Sequence, residues 1–292
     1  MKAGVCIPPS HPSYAGLFTG AIAEAEIVDK ADLIILYGFD AIELIPGKWA
    51  YEASILDLCL AETTPLPVDP ALRLTGDLAT TAQALTSDLK SSDWRADDIA
   101  SGLEKINACF ALRGTVTAQT ATQAAAEIAP RGTRLCVDAG AHMFAALAYW
   151  PAEEPFGVLK SDGLSTMGYA LPAAIASALQ EPDRPALAIT GDGGLMMCLA
   201  ELTTAVERNC NITVVVINDA ALSLIDIKQQ RQQYKTRGVR YPSVDFAACA
   251  NAMGCRSWRI DDLDGIKPAL KEAFAHDGPA LVDIVCSPDG YG

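Results

Sequence analysis

Residues 191–219 read GDGGLMMCLAELTTAVERNCNITVVVIND, and this stretch decides the fold. Pro185–Thr190, just before it, is a short apolar run of the kind that forms a buried strand, and Gly191-Asp192-Gly193-Gly194 makes the turn out of it. An amphipathic segment follows, then the β-branched run Thr213–Ile217, closed by Asn218-Asp219. Between Gly193 and Asn218 lie 24 residues, about what one helix and one returning strand require. Two parallel strands joined in this way end at the same edge of a sheet, so the two acidic turns meet there. Paired carboxylates beside glycine N–H groups suit a magnesium ion that grips a diphosphate.

Working outward, the chain alternates strand and helix signals throughout. In residues 1–105, Ala21–Ala31 and Asp77–Leu89 read as helices, the second with Asp77 near its start, and Leu33–Tyr37 and Ser54–Leu58 as strands, the first of them buried. A polar stretch at 87–98 leads to a helix over Asp98–Leu112, and a domain boundary is expected near 110–118. Beyond it, strands are expected at Arg134–Asp138, Gly157–Lys160, Ala186–Thr190, Thr213–Ile217 and Ala280–Val285. Helices are expected from Thr117 and at Thr166–Gln180, Leu199–Asn209, Phe246–Ala252 and Leu263–Ala275. This is the pattern of an α/β protein with parallel sheets and helical crossovers, divided into residues 1–112 and 113–292.

Composition excludes several classes. The net charge is −14, with 16 acids against 7 bases in residues 1–110, and no basic cluster marks a nucleic-acid surface. No apolar run nears the roughly 18 residues needed to cross a bilayer, and no signal peptide opens the chain, so no membrane partner is expected. Nine cysteines occur without a CxxC pair, which is the usage of a reduced, cytoplasmic protein. Three histidines, at 11, 142 and 276, are too scattered for a zinc site. A nucleophile elbow is absent, and Gly163–Gly168 lacks the lysine of a phosphate-binding P-loop.

Taken together, Gly191-Asp192-Gly193 with Asn218-Asp219, Asp138-Ala-Gly-Ala-His142-Met, Gly163-Leu-Ser-Thr-Met167-Gly-Tyr-Ala-Leu-Pro-Ala-Ala and Ala221-Leu-Ser-Leu-Ile-Asp-Ile-Lys-Gln-Gln-Arg resemble one family. It is the thiamine-diphosphate (ThDP) enzymes of the acetolactate synthase, benzoylformate decarboxylase and pyruvate decarboxylase type, and acetolactate synthase is the nearest pattern. The likeness is strong from about Asp138 to Val285 and weaker before. The fold it implies is a partial Rossmann-like central domain followed by a domain that binds the ThDP diphosphate and Mg²⁺.

The resemblance also implies roles. Asp192 and Asp219 would coordinate Mg²⁺ through side chains and Ala221 through its carbonyl, while the N–H groups of Gly193 and Gly194, and Gly191 beside them, approach the diphosphate. The helix that starts there adds a favourable dipole of about 0.3–1 kcal/mol. Gly140, Ala141 and His142 face the same anion, His142 as a phosphate ligand or as an ordinary surface histidine. Met167 would wedge between the two cofactor rings and bend them, or be plain core. Ser165, through its carbonyl, would accept from the cofactor's 4′-amino group. Leu222, Leu224 and Ile225 would line the thiazolium wall, and Lys228 and Gln229 the substrate's way in or a solvated helix face.

The family's activating glutamate belongs to a pyrimidine-binding domain that matches nothing in these residues. None of Glu24, Glu26, Glu43 or Glu52 sits in its context. The opening K-A-G-V-C-I-P-P-S-H-P resembles the middle of the family's central domain, so the chain is expected to start partway through that fold. A separate pyrimidine-domain subunit in a dimer or heterotetramer is the expected partner, with a truncated reading frame as the alternative. The implied activity is decarboxylation of a 2-oxo acid with carboligation to a second carbonyl. A simple 2-oxo acid decarboxylase and a non-catalytic ThDP-binding subunit stand as alternatives.

Overall fold

The computed structural model describes residues 7–18, 20, 24–44, 47–62, 65–87, 91–109, 115–287 and 291. The start of the expected helix at 21, the ends of those expected at 89 and 112, and the opening K-A-G-V-C lie outside the described residues. The chain divides into two units, one running to Cys109 and the other from Phe110.

The first unit holds helix α1 (Ala25–Val28), strands β1 (Leu33–Tyr37), β2 (Ser54–Cys59) and β3 (Leu72–Thr75), and helices α2 (Leu78–Thr86) and α3 (Ala96–Cys109). The strands form a parallel sheet in the order β1-β2-β3. Asp77 caps α2 by accepting from the Thr80 N–H, which satisfies one of the helix's orphan donors. The sequence reads β1 as a buried strand. The structure instead leaves Leu33, Ile35 and Tyr37 on one face 42–44 % exposed, while Leu36 on the other is 4 % exposed. Strand β3 went unread because Arg73 interrupts its apolar run. The guanidinium Nε pairs at 2.7 Å with the buried Asp57 carboxylate of β2, its register partner.

The second unit is built on six parallel strands: β4 (Arg134–Val137), β5 (Val158–Lys160), β6 (Ala186–Gly191), β7 (Ile212–Asn218), β8 (Arg256–Ile260) and β9 (Ala280–Val285). Their order is β5-β4-β6-β7-β9-β8. Strands β4 and β7 are buried at every position, as expected for strands covered on both faces. Three helices cover one face: α6 (Ala170–Gln180), α8 (Glu201–Glu207) and α10 (Phe246–Ala252). Leu171, Leu202 and Phe246 pack there against Ala188, Val214 and Leu281. Helices α4 (Ala118–Ile128), α5 (Ala141–Tyr149) and α11 (Leu263–Phe274) cover the other face, and α7 (Asp192–Cys198) and α9 (Ser223–Arg231) start at the strand tips. The expected helix over 199–209 is α8, and a further helix that the sequence left unread, α7, begins directly at Asp192 and is separated from α8 by a break at Leu199–Ala200. Helix α6 starts at Ala170 instead of Thr166, because Gly168 holds φ +74° in the preceding loop.

After β4 the chain moves to β5 on one side and then to β6 on the other. This reversal opens a crevice at the carboxyl ends of β4 and β6, where ligands bind in open α/β sheets.

Candidate functional site

The turns leaving β4, β5, β6 and β7 converge on one pocket in that crevice. Its lining includes Gly140, Ala141 and His142 after β4, Ser165 and Met167 after β5, Gly191, Asp192, Gly193 and Gly194 after β6, and Asp219, Ala221, Leu222, Leu224 and Ile225 after β7. The residues expected to hold the metal or the cofactor therefore lie on one surface. Lys228 and Gln229 do not line it. The Gln229 side chain bonds both the N–H and the carbonyl of Arg237 (3.1 and 3.2 Å). The cavity is about 160 Å³. Pockets that enclose a drug-sized ligand run to about 300–1,000 Å³, so these residues grip one end of a ligand that size.

Register explains how the acids meet. Gly191 of β6 pairs with Ile217 of β7, so Asp192 sits beside Asn218 and one residue from Asp219. Asp192 is 2 % exposed. Its Oδ1 accepts from the Gly193 N–H (2.6 Å) and the Tyr241 hydroxyl (2.7 Å), and its Oδ2 from the Ala220 N–H (2.7 Å). Asp219 accepts from the Ala221 N–H (3.1 Å) and the Ser223 hydroxyl (2.6 Å), and the Tyr291 hydroxyl bonds it as well. Asn218 turns the other way. Its amide donates to the Val244 carbonyl (2.9 Å) and to the fully buried Asp283 (2.8 Å), which also accepts from Arg259. That anchor leaves Asp219, and not Asn218, facing the pocket.

Burial and the Asp219 charge push the Asp192 carboxyl up to about 6, although bonds from Tyr241, Gly193 and Ala220 oppose this. Burial raises Asp219 too. Two acids pushed up together are the electrostatic complement of a cation, which would favour both ionised forms. Among the described residues no three His, Cys, Asp or Glu side chains gather as a metal cage. A cation here would draw on two carboxylates, a backbone carbonyl and ligand oxygens, which is the manner of Mg²⁺ bound to phosphates. The Ala221 carbonyl is open to this, because the bridge between Ala221 and Arg240 runs through Leu222 N–H to Val239 and Tyr241 N–H to Ala220.

The sign of the pH dependence follows. A carboxyl whose folded pKa lies above its unfolded value opposes folding once ionised, so the cation-free chain loses stability as pH rises from about 4 through 6. Cation binding needs the ionised form. At a fixed, subsaturating concentration of Mg²⁺ with ThDP, the gain in melting temperature should therefore be smaller at pH 5 than at pH 7.5, with apparent affinity about 10-fold lower, and an equal gain at both would uncouple Asp192 from the cation.

The glycines of the turn have separate duties. A Cβ on Gly193 would lie 2.6 Å from Leu222 and 3.0 Å from the Tyr241 hydroxyl. One on Gly194 would lie 2.2 Å from the Asp138 carboxylate. Gly194 is thus required by close packing behind the pocket, and the Gly193 N–H is already bonded to Asp192.

His142 is no surface residue. It is 6 % exposed, bonded to the Asp138 backbone, and its Nε2 is buried without a hydrogen-bond partner among the described residues. Burial lowers it to about 4, against the opposing pull of Asp138, so the ring is neutral at pH 7 and offers one unpaired polar atom. Ser165 holds φ +48°, the left-handed region that glycine enters most easily.

The motif that opens at Asp138 gave that residue no role, and no motif reached Tyr241. Asp138 is fully buried, and its carboxylate accepts from the N–H groups of Gly168 (3.0 Å), Tyr169 (2.7 Å) and Ala170 (2.6 Å) and from the Thr190 hydroxyl (2.6 Å). It caps α6 and pins the loop that carries Met167. Its place just after β4, ahead of a small-residue turn, was the available signal. Tyr241 lies 49 residues from Asp192 and gave none.

Residues 138–284 match the family model described as thiamine pyrophosphate enzyme, C-terminal TPP binding domain. The catabolic acetolactate synthase of Raoultella terrigena is 28% identical over 282 residues, covering 92% of this chain and 50% of that protein. The acetolactate synthase of Bacillus subtilis (strain 168) is 26% identical over 287 residues, 88% of this chain and 47% of that protein. The acetolactate synthase isozyme 1 large subunit of Escherichia coli (strain K12) is 36% identical over 155 residues, 51% of this chain and 27% of that protein. The chain thus spans about half the length of the first two, and less of the third.

Proposed function

The chain belongs to the thiamine pyrophosphate enzymes through their C-terminal TPP-binding domain, and from that premise we propose that it is the cofactor-binding component of an acetolactate-synthase-like enzyme acting on 2-oxo acids. The observation that carries this reading is the meeting of Asp192, Asp219 and Ala221 with the glycine turn and the Met167 loop in one pocket. Asp192 and Asp219, with the Ala221 carbonyl, hold Mg²⁺. Gly140, Ala141, His142, Gly191 and Gly193 surround the diphosphate of ThDP. Met167, Leu222, Leu224 and Ile225 exclude water from its ring end, and the exposed Ser165 loop offers a backbone carbonyl there.

When bound, ThDP supplies the decarboxylation and carbon–carbon bond chemistry, and the protein positions it. Among the described residues the pocket lining contains no glutamate. On this reading the proton-handling group that activates the aminopyrimidine is supplied by a separate pyrimidine-binding domain or subunit, in an oligomeric, cytoplasmic assembly. Exposed apolar side chains support such an interface. Leu164 (89 %) adjoins the lining residue Ser165, Ile225 is in the lining, and the exposed Met196 and Met197 follow Gly194 on α7.

Calorimetric titration of the purified chain tests the reading. ThDP should bind with Mg²⁺ and fail to bind with EDTA, and NAD⁺ should not bind in either case. Equal ThDP binding in EDTA, or none at all, overturns it. Supplemented with a pyrimidine-domain protein and a 2-oxo acid, the loaded chain should release a hydroxyketone. A free aldehyde instead would make it a decarboxylase, and turnover by neither route would favour a non-catalytic subunit.

A further inference from the structure

We propose that Tyr241 is a positioning residue that confines Asp192 to a single metal-facing lone pair and so selects Mg²⁺ over Ca²⁺; the inference rests on reading Asp192 and Asp219 as cation ligands. A carboxylate has about four lone-pair sites. On Asp192 the Gly193 N–H and the Tyr241 hydroxyl occupy both sites of Oδ1, and the Ala220 N–H occupies one of Oδ2. One lone pair, on Oδ2, remains. Such a carboxylate ligates through one oxygen, which suits the tight octahedron of Mg²⁺. Ca²⁺, with six to eight looser ligands, gains more from a two-oxygen grip.

The fold delivers this phenol on purpose-built supports. Residues 232–241 leave α9 and return to the same turn that carries Asp219. The Asp226 carboxylate, on α9 and 6 % exposed, accepts from Arg240 Nε (3.0 Å) and Nη2 (2.7 Å) and from the Thr236 hydroxyl (2.8 Å). The Leu222 N–H bonds the Val239 carbonyl (2.8 Å), and the Tyr241 N–H bonds that of Ala220 (3.1 Å). Both ligand turns and the phenol are thereby tied into one piece of backbone. The gap at Gly193 completes it, because a Cβ there would clash with Leu222 (2.6 Å) and crowd the hydroxyl (3.0 Å).

The test is Tyr241→Phe, which deletes only the hydroxyl. Mg²⁺ and Ca²⁺ are titrated calorimetrically into the full chain in the presence of a fixed excess of ThDP, with Asp192→Asn as the control. Outer-shell partners of metal ligands typically carry about 10–100-fold in affinity, so Mg²⁺ binding should weaken by at least about 10-fold. Ca²⁺ binding should weaken less or strengthen, and the cation-free melting temperature should move by no more than about 4 °C. Equal weakening of both cations, or no change in either while Asp192→Asn abolishes binding, overturns the role of Tyr241 alone. Should Asp192→Asn bind both cations as wild type does, the carboxylates are not the ligands and the underlying reading fails.

Discussion

Asp192→Asn is expected to lower the affinity of the chain for Mg²⁺–ThDP by at least about 100-fold, about 2.7 kcal/mol. The substitution keeps the shape of the side chain and removes the charge that faces the cation. Its effect on the cation-free protein should be small, because two consequences oppose each other. Removing an acid that burial holds near pKa 6 relieves a cost of ionisation at pH 7. The new NH₂ group, however, faces N–H donors, since Gly193 and Ala220 donate to opposite oxygens of the native carboxylate. A melting temperature within about 4 °C of wild type, with binding lost, is the expected pair of results. Unchanged calorimetric affinity would falsify the assignment of Asp192 to the cation.

The largest stability effect belongs to Asp138→Ala. Four donors converge on this fully buried carboxylate, three of them N–H groups at the entrance to α6. Each buried donor left unpaired costs about 1–3 kcal/mol, partly recovered where water enters, so a loss of about 3–5 kcal/mol is expected. The loss should be localised. Amide exchange at Gly168, Tyr169 and Ala170 should accelerate well beyond that in β6 and β7, and ThDP binding should weaken as the Met167 loop loosens. Denaturation by urea reads the first quantity and hydrogen exchange the second. A stability change under about 1 kcal/mol, with exchange unaltered, would show that the loop holds itself.

Much of the α/β architecture was legible in the chain because buried parallel strands must be apolar on both faces, as Thr213–Ile217 is. Two strands that carry an arginine were left unread. Edge strand β8, Arg256–Ile260, carries Arg259 because that guanidinium pairs with the buried Asp283 of β9. Strand β3 carries Arg73 because Asp57 lies opposite it. In each case the charge reads as a loop until its partner is known. The four pocket turns were legible for a related reason: each is a contiguous run of small and acidic residues at a strand end, a local pattern that topology then gathers at one sheet edge.

By itself, the sequence determined which residues stand at the tips of β4 to β7, since strand and turn propensities act over a few neighbouring positions. Only the tertiary structure decided how those residues are held. The Asp138 latch on α6, the Tyr241 phenol on Asp192 and the Asn218–Asp283–Arg259 anchor behind Asp219 join positions 24 to 65 residues apart. Such bonds depend on where the backbone returns, and local residue preferences carry no record of that.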